Sequence, residues 1–188
     1  MSGGRTKPRT MPRLLPRLRA LRRDRKAATI IEFAIVAAPF IALILATLQT
    51  SIIFFAQQAL ETTAEQTARQ LVTGEAQQSK LGKDDFHAEA CRHLLPIMSC
   101  ADLMVDVQHT DSFSSVDTAA PVLHYDSHGN IDNNWQFDPG TPNDIIVMRV
   151  MYRLPVVGGP LGFNLANAGS GKRLLIATSV FQPEPYLS

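Results

Sequence analysis

The sequence is poor in the residues from which catalytic and metal sites are usually built. It has two cysteines and five histidines, and it contains no phosphate-binding glycine loop, nucleophile elbow or His-Glu-x-x-His pattern. The histidines are scattered, and the spacing of His87 and His93 does not place them on one face of a helix. We therefore expect no catalytic residue, no metal site and no cofactor.

One oxygen-rich stretch surrounds Gly129. Asp126, His128, Asn130 and Asp132 give it a weak similarity to a calcium-binding loop. The acidic triplet and the closing glutamate of such a loop are missing. An ordinary Asx-rich turn is the alternative, and it is the interpretation that we prefer.

Charge is missing from a long part of the chain. No Asp, Glu, Lys or Arg lies between Glu32 and Glu61, a stretch longer than the roughly 20 residues that cross a bilayer. Residues 1–26 carry ten basic residues and one acidic residue, although the net charge of the whole chain is only +1. By the positive-inside rule the basic flank stays cytoplasmic, and the chain after Leu60 is exported.

The basic segment itself admits other interpretations. It contains no aromatic residue for base stacking, so we expect no nucleic-acid partner. Pro8, Pro12 and Pro16 oppose a helix there, which favours disorder or contact with anionic headgroups. A cleaved secretory signal is the competitor for residues 1–50, but its apolar region usually spans about 7–15 residues. A retained membrane helix fits the longer run better.

The apolar run predicts one helix from about Thr29 to Val72. Pro39 should kink it, and after Pro39 no Gly or Pro follows until Gly74. Small side chains along the helix could admit a neighbouring helix, although alanine is also simply common in such spans. The small residues are Ala34, Ala37, Ala38, Ala42 and Ala46.

The remainder of the chain predicts a small α+β domain. We expect Asp84 to cap a helix over residues 85–95, and strands at 103–108, 145–154 and 174–181. Residues 122–125 and 134–137 flank residues 126–130 and predict either a hairpin or an ordered loop. The predicted fold class is therefore α+β: a long N-terminal transmembrane α-helix continues into a small exported domain with an antiparallel sheet.

Cys91 and Cys100 lie on the exported side, where a disulfide is permitted. The loop that it would close predicts a stabilisation of about 2–3 kcal/mol. Two reduced, buried cysteines are the alternative.

A small residue, four further residues and then Glu-Phe at the start of an apolar helix resemble class III prepilins. The run of residues 28–40 is similar to the opening of TadE-like pseudopilins of the tight-adherence (Tad/Flp) pilus system. Residues 55–60 and the later Ala64, Ala68 and Arg69 also match the opening segment of that family, and the tail Phe181–Tyr186 resembles the Glu-Pro-Tyr ending of some members. The resemblance is good over about residues 26–70.

The resemblance implies a pilin-like fold and cleavage between Ala27 and Ala28 by a prepilin peptidase, with Ala27 where the family usually has glycine. Cleavage would leave the amine of Ala28 four residues before Glu32. That carboxylate, with Phe33 and Pro39, would then set packing and register against neighbouring helices. The alternative is a carboxylate that reaches the inner membrane interface beside Arg25 or Lys26.

The expected domains are a basic leader at residues 1–27, which the resemblance implies is cleaved, a transmembrane and protruding helix at 28–73, and an exported α+β domain at 75–188. The expected function is that of a non-enzymatic minor pilin-like component in pilus biogenesis, adherence and biofilm formation. Its partners would be the bacterial inner membrane, other Tad pilins and assembly proteins, in a single-pass inner-membrane or extracellular location. The alternative is a signal-anchored periplasmic enzyme or binding module unrelated to pili.

Overall fold

Helix α1 is the longest element and spans Arg25–Val72 in this computed structural model. The structure describes residues 25–117, 119–142 and 144–185, with the backbone alone at 25–28 and 161. Two units are present, the first ending at Ile44 and the second beginning at Leu45. The leader and domain boundaries expected from the sequence stay predictions.

Of the residues that the structure describes, the first unit contains residues 25–44 of helix α1. Almost every described side chain from residue 29 to residue 44 is exposed, and Ala37 and Ala42 are half-buried. The helix continues through Pro39. A proline removes one backbone hydrogen bond from a helix, which is the reason for expecting a kink at Pro39. The kink stays a prediction.

The second unit contains a three-stranded antiparallel sheet. Strand β1 spans Leu103–Thr110, β2 spans Ile145–Pro155 and β3 spans Lys172–Phe181. The order is β1-β2-β3, so β2 is central. Each strand alternates its side chains between two faces. The α+β fold class, with a long apolar N-terminal helix and a small antiparallel sheet, is confirmed.

The core lies between one face of the sheet and the C-terminal part of helix α1. Buried helix residues recur at the three- and four-residue spacing of one helix face. Two short helices, α2 (Glu75–Gln78) and α3 (Lys83–Arg92), complete the layer. The core residues of β1 and β2 are the alternate residues that the sequence predicted to lie on one face of the sheet. The helix contributes Ile53, Ala56, Leu60, Ala64, Ala68 and Leu71, and the sheet contributes Leu103, Val105, Val107, Ile146, Met148, Val150 and Tyr152.

Helix α1 ends at a glycine with a left-handed backbone. Gly74 has a φ of 72°, a conformation that glycine adopts without a steric penalty and that commonly closes helices. The carbonyl of Val72, the last helical residue, accepts a hydrogen bond from the backbone N–H of Glu184 at 2.8 Å. The C-terminal segment therefore caps the long helix. Tyr186, the end of the tail that resembles the family, lies outside the described residues.

The expected cap and limits of helix α3 were wrong. The helix begins at Lys83, with Gly82 rather than Asp84 as its N-cap, and it ends at Arg92 rather than near residue 95. The Gly82 carbonyl accepts from the Phe86 N–H at 3.0 Å. Asp84 instead lies in the first turn, where its charge favours the N-terminal end of the helix dipole.

Residues 122–137 form an ordered loop, one of the two alternatives expected from the sequence, and not a hairpin that pairs residues 122–125 with residues 134–137. One isolated bridge joins Tyr125 to Ile131, while Phe137 pairs in parallel with Val107 of strand β1. Asn133 explains the difference, because its side-chain amide bonds to the backbone of residues 122 and 124 at 2.8 Å. Such a side chain offers the backbone an alternative to a strand ladder.

Candidate functional site on helix α1

The residues singled out for processing and packing lie at the N-terminal end of helix α1. Ala27 and Ala28 are in its first turn. Glu32 lies four residues after Ala28, and this spacing puts both positions on one side of the helix. Glu32 and Phe33 are exposed, and the Phe33 side chain is exposed by 74%. Pro39 is exposed as well.

The surface around these residues is apolar on all sides. Large apolar side chains between residues 30 and 44 point in every direction around the helix, unlike the one-sided stripe of a helix on a soluble core. The helix is long and apolar enough to cross a membrane. A contiguous exposed apolar surface of this kind marks contact with a membrane or another protein. The exposed residues are Ile30, Ile31, Phe33, Ile35, Val36, Phe40, Ile41, Leu43 and Ile44.

Glu32 is the one acidic group at the edge of this apolar surface. A carboxylate at the centre of a membrane helix costs about 2.5–3.5 kcal/mol, and less near the interface. No Lys, Arg or His lies between Lys26 and Arg69 in the sequence. A compensating cation must therefore come from the basic flank, from a new amine at Ala28, or from another molecule.

The C-terminal part of the same helix is tied to its own unit by polar contacts. The Gln57 side-chain amide donates to the Ile176 carbonyl of strand β3 at 3.0 Å. The buried Thr63 hydroxyl lies 3.1 Å from the carbonyl of His93, just after helix α3. These contacts fix the helix to both the sheet and helix α3, so this part of the helix serves as scaffold.

A buried ion pair on the opposite face of the sheet was missed from the sequence. Asp106 of β1 and Arg149 of β2 are cross-strand partners, with Nη1 and Oδ2 3.5 Å apart. The Asp106 carboxylate also accepts the backbone N–H of Gln136 at 2.8 Å, and Arg149 donates to the carbonyl of Asp117. The pair therefore holds the long loop between β1 and β2 against the sheet. The available signal was that Asp106 and Arg149 each interrupt a run of apolar residues in their strands.

Cys91 and Cys100 form a disulfide, with Cα atoms 5.5 Å apart. It joins the end of helix α3 to the turn that begins strand β1. His87 lies beside it, with Nδ1 3.8 Å from the Cys91 sulfur and Nε2 3.1 Å from the Leu103 carbonyl oxygen. This proximity was not predicted. The three side chains could approach one metal ion, but disulfide sulfurs are not the thiolates that bind metals.

The Asp126 carboxylate is engaged by its own loop. Its Oδ1 accepts the backbone N–H groups of His128 and Asn130 at 2.8 Å, and the Asn130 side chain donates to Oδ2 at 3.1 Å. These hydrogen bonds, led by that from the Asn130 backbone, hold the pKa of Asp126 below its ordinary value of 3.8. The geometry is that of the Asx turn favoured from the sequence.

Comparison with known proteins bears on the N-terminal segment. No curated protein and no solved structure matches the chain. The TadE family, described as TadE-like protein, matches over residues 27–69. This range begins at Ala27 and includes Glu32, the apolar helix and most of the packed face. A TadE-like segment implies a component associated with Tad pili. The match confirms the resemblance to the TadE-like family for residues 27–69 of this chain.

Proposed function

We propose that this protein is a minor pilin-like component of a Tad/Flp pilus assembly system, acting in pilus biogenesis, adherence and biofilm formation. The apolar part of helix α1 anchors it in the bacterial inner membrane, with the N-terminus cytoplasmic and the second unit periplasmic or, in a pilus, extracellular. There it packs with other pilins, pseudopilins and assembly proteins. The role is structural, in line with the generally non-enzymatic character of the TadE-like family.

The observation that carries this proposal is the exposed apolar surface around Glu32. Glu32 follows a basic leader and the small residue Ala27, and a prepilin peptidase would process a chain with this arrangement. A single-pass anchor requires the apolar length but gives no reason for a carboxylate at its edge. A pilin-like helix gives that reason, because Glu32 can pair with an amine on a neighbouring subunit and fix the register between helices.

N-terminal sequencing of the protein extracted from membranes tests the processing step. We expect the mature chain to begin at Ala28, because cleavage after Ala27 creates the amine that Glu32 would pair with. A control variant, Ala27→Leu, carries a bulky side chain before the cut and should keep Met1. A wild-type protein that retains Met1 would contradict the processing proposal and favour a signal-anchored protein.

A further inference from the structure

The second unit carries an apolar groove beside helix α1. The groove has a volume of about 400 Å³ and runs between helix residues 45–53 and the segment that follows strand β2. Leu48 and Ile52 form the helix wall, and Leu154, Val156 and Val157 form the other wall. Both walls belong to the second unit. The groove is therefore a feature of that unit and not of a contact with the first.

The segment that follows β2 has an unusual composition for an exposed loop. No charged residue lies between Arg153 and Lys172. Val157 is exposed by 83%, and it sits between Pro155 and the turn Gly158–Pro160. An apolar side chain at the tip of a charge-free loop, next to an apolar helix, forms one continuous surface without charge. An exposed apolar surface of this kind marks contact with a membrane, another protein or an apolar ligand.

Some backbone groups of this loop are hydrogen-bonded, to helix α1, to the residue before strand β3 and within the segment itself. The Gln49 side-chain amide donates to the Val157 carbonyl, and the Gly159 N–H donates to the Phe163 carbonyl at 2.6 Å. The Val156 N–H donates to the Gly171 carbonyl at 3.0 Å. These partners reduce the number of backbone polar groups that contact with a membrane would leave without a hydrogen bond.

The position of the groove along the helix agrees with this environment. An α-helix rises about 1.5 Å per residue, so the roughly 30 Å hydrocarbon core takes about 20 residues. Counted along the sequence from Thr29, the core ends near Leu48. The next residues, Gln49, Thr50 and Ser51, are polar. The groove therefore lies at the depth where a periplasmic domain would meet the outer surface of the membrane.

We propose that residues 155–162 insert into the periplasmic leaflet and that lipid acyl chains fill the groove between this loop and helix α1. The second unit is thus seated on the membrane by two apolar elements rather than by the helix alone. The inference rests on the membrane anchoring in the proposed function, but not on leader processing or on pilus assembly.

Fluorescence quenching by lipids brominated on their acyl chains tests the insertion. The full-length protein is reconstituted in liposomes in a Trp135→Phe background, which removes the one native tryptophan. Single tryptophans are then introduced by Leu48→Trp, Val157→Trp and Val122→Trp. Val122 is a matched control, because it is an equally apolar residue exposed by 73% on another loop of the same unit.

We expect quenching at positions 48 and 157 to be at least about twice that at position 122. Quenching at 48 without quenching at 157 would overturn the loop insertion and leave the membrane anchor standing. The absence of quenching at both positions would contradict the anchor as well as the insertion.

Photo-crosslinking in cells supplies a measurement that does not depend on the Trp135→Phe background. A benzophenone amino acid at position 157 of the otherwise native chain should form adducts with lipid. Adducts with another pilin-like subunit and none with lipid would show that a protein helix occupies the groove, which would overturn the proposal.

Discussion

The two parts of helix α1 differ in how their apolar side chains are arranged. From residue 53 to residue 71 the buried positions form one face, and charged residues such as Glu61, Glu65 and Arg69 form the other. From residue 30 to residue 44 apolar side chains cover all faces and remain exposed. The first pattern is satisfied within the chain, whereas the second requires lipid or other helices. A single helix thus carries a structural part and an interaction part.

The largest difference in the free energy of unfolding should appear when one large apolar side chain is truncated to alanine in each part of helix α1. Leu60→Ala removes a side chain that is fully buried in the core. It should lower the free energy of unfolding by about 2–5 kcal/mol, because a cavity is left behind. Ile35→Ala, at a position exposed by 68%, should change that free energy by no more than about 0.5 kcal/mol. Denaturant titration in detergent micelles, followed by circular dichroism, measures both. Equal losses would mean that the two parts are packed alike.

Removal of the disulfide should have the next largest effect, confined to the packed part. Cys91→Ser with Cys100→Ser should lower the free energy of unfolding by about 2–3 kcal/mol, because the short closed loop no longer restricts the unfolded chain. The same denaturant titration gives the value, and reduction of the native protein with dithiothreitol should reproduce it. An unchanged mobility on non-reducing gels, together with free thiols in the exported protein, would contradict the bond.

The smallest effect should be a local response to acid at Asp126. Its folded pKa is held below 3.8 by the loop N–H groups. A lowered pKa means that the carboxylate stabilises the loop above its ordinary pKa, and that this contribution is lost as the pH falls through the folded pKa. Amide NMR signals of His128 and Asn130 should therefore report protonation of Asp126 at a pH below the ordinary value of 3.8.

Two variants sharpen the acid test. Asp126→Asn should abolish the acid response of the His128 and Asn130 amides, whereas Asp132→Asn on the same loop should retain it. A response of those amides that persists in Asp126→Asn would assign the titration to a different group. Neither variant should alter the packing of helix α1.

Much of the fold could be predicted because periodicity is a local property. The end of helix α1 at Val72 could be predicted from Gly74. The three strands could be predicted from the spacing of their apolar residues. The shared face of Ile146, Met148 and Val150 was likewise predicted and is part of the core. These features depend on neighbours in the sequence, so a single chain contains the information.

Several features were missed because they depend on contacts between residues that are separated in the sequence. The side chain of Asn133 replaced the contacts of the alternative hairpin, and Phe137 paired with β1 instead. The pairing of Asp106 with Arg149 depends on strand register, which apolar alternation alone did not reveal. The roles of Ala27, Ala28, Glu32, Phe33 and Pro39 concern a cleavage and partners outside this chain, so they remain predictions.

The effect of Glu32→Gln on pilus assembly tests the central claim most directly. The matched control is Glu65→Gln, at an exposed carboxylate on the packed part of the same helix. We predict that Glu32→Gln is still cleaved to begin at Ala28 but lowers surface pili and adhesion by roughly tenfold, the change produced by losing about 1.4 kcal/mol of pairing. Glu65→Gln should behave as wild type. Normal piliation and adhesion in Glu32→Gln would contradict a packing role for this carboxylate.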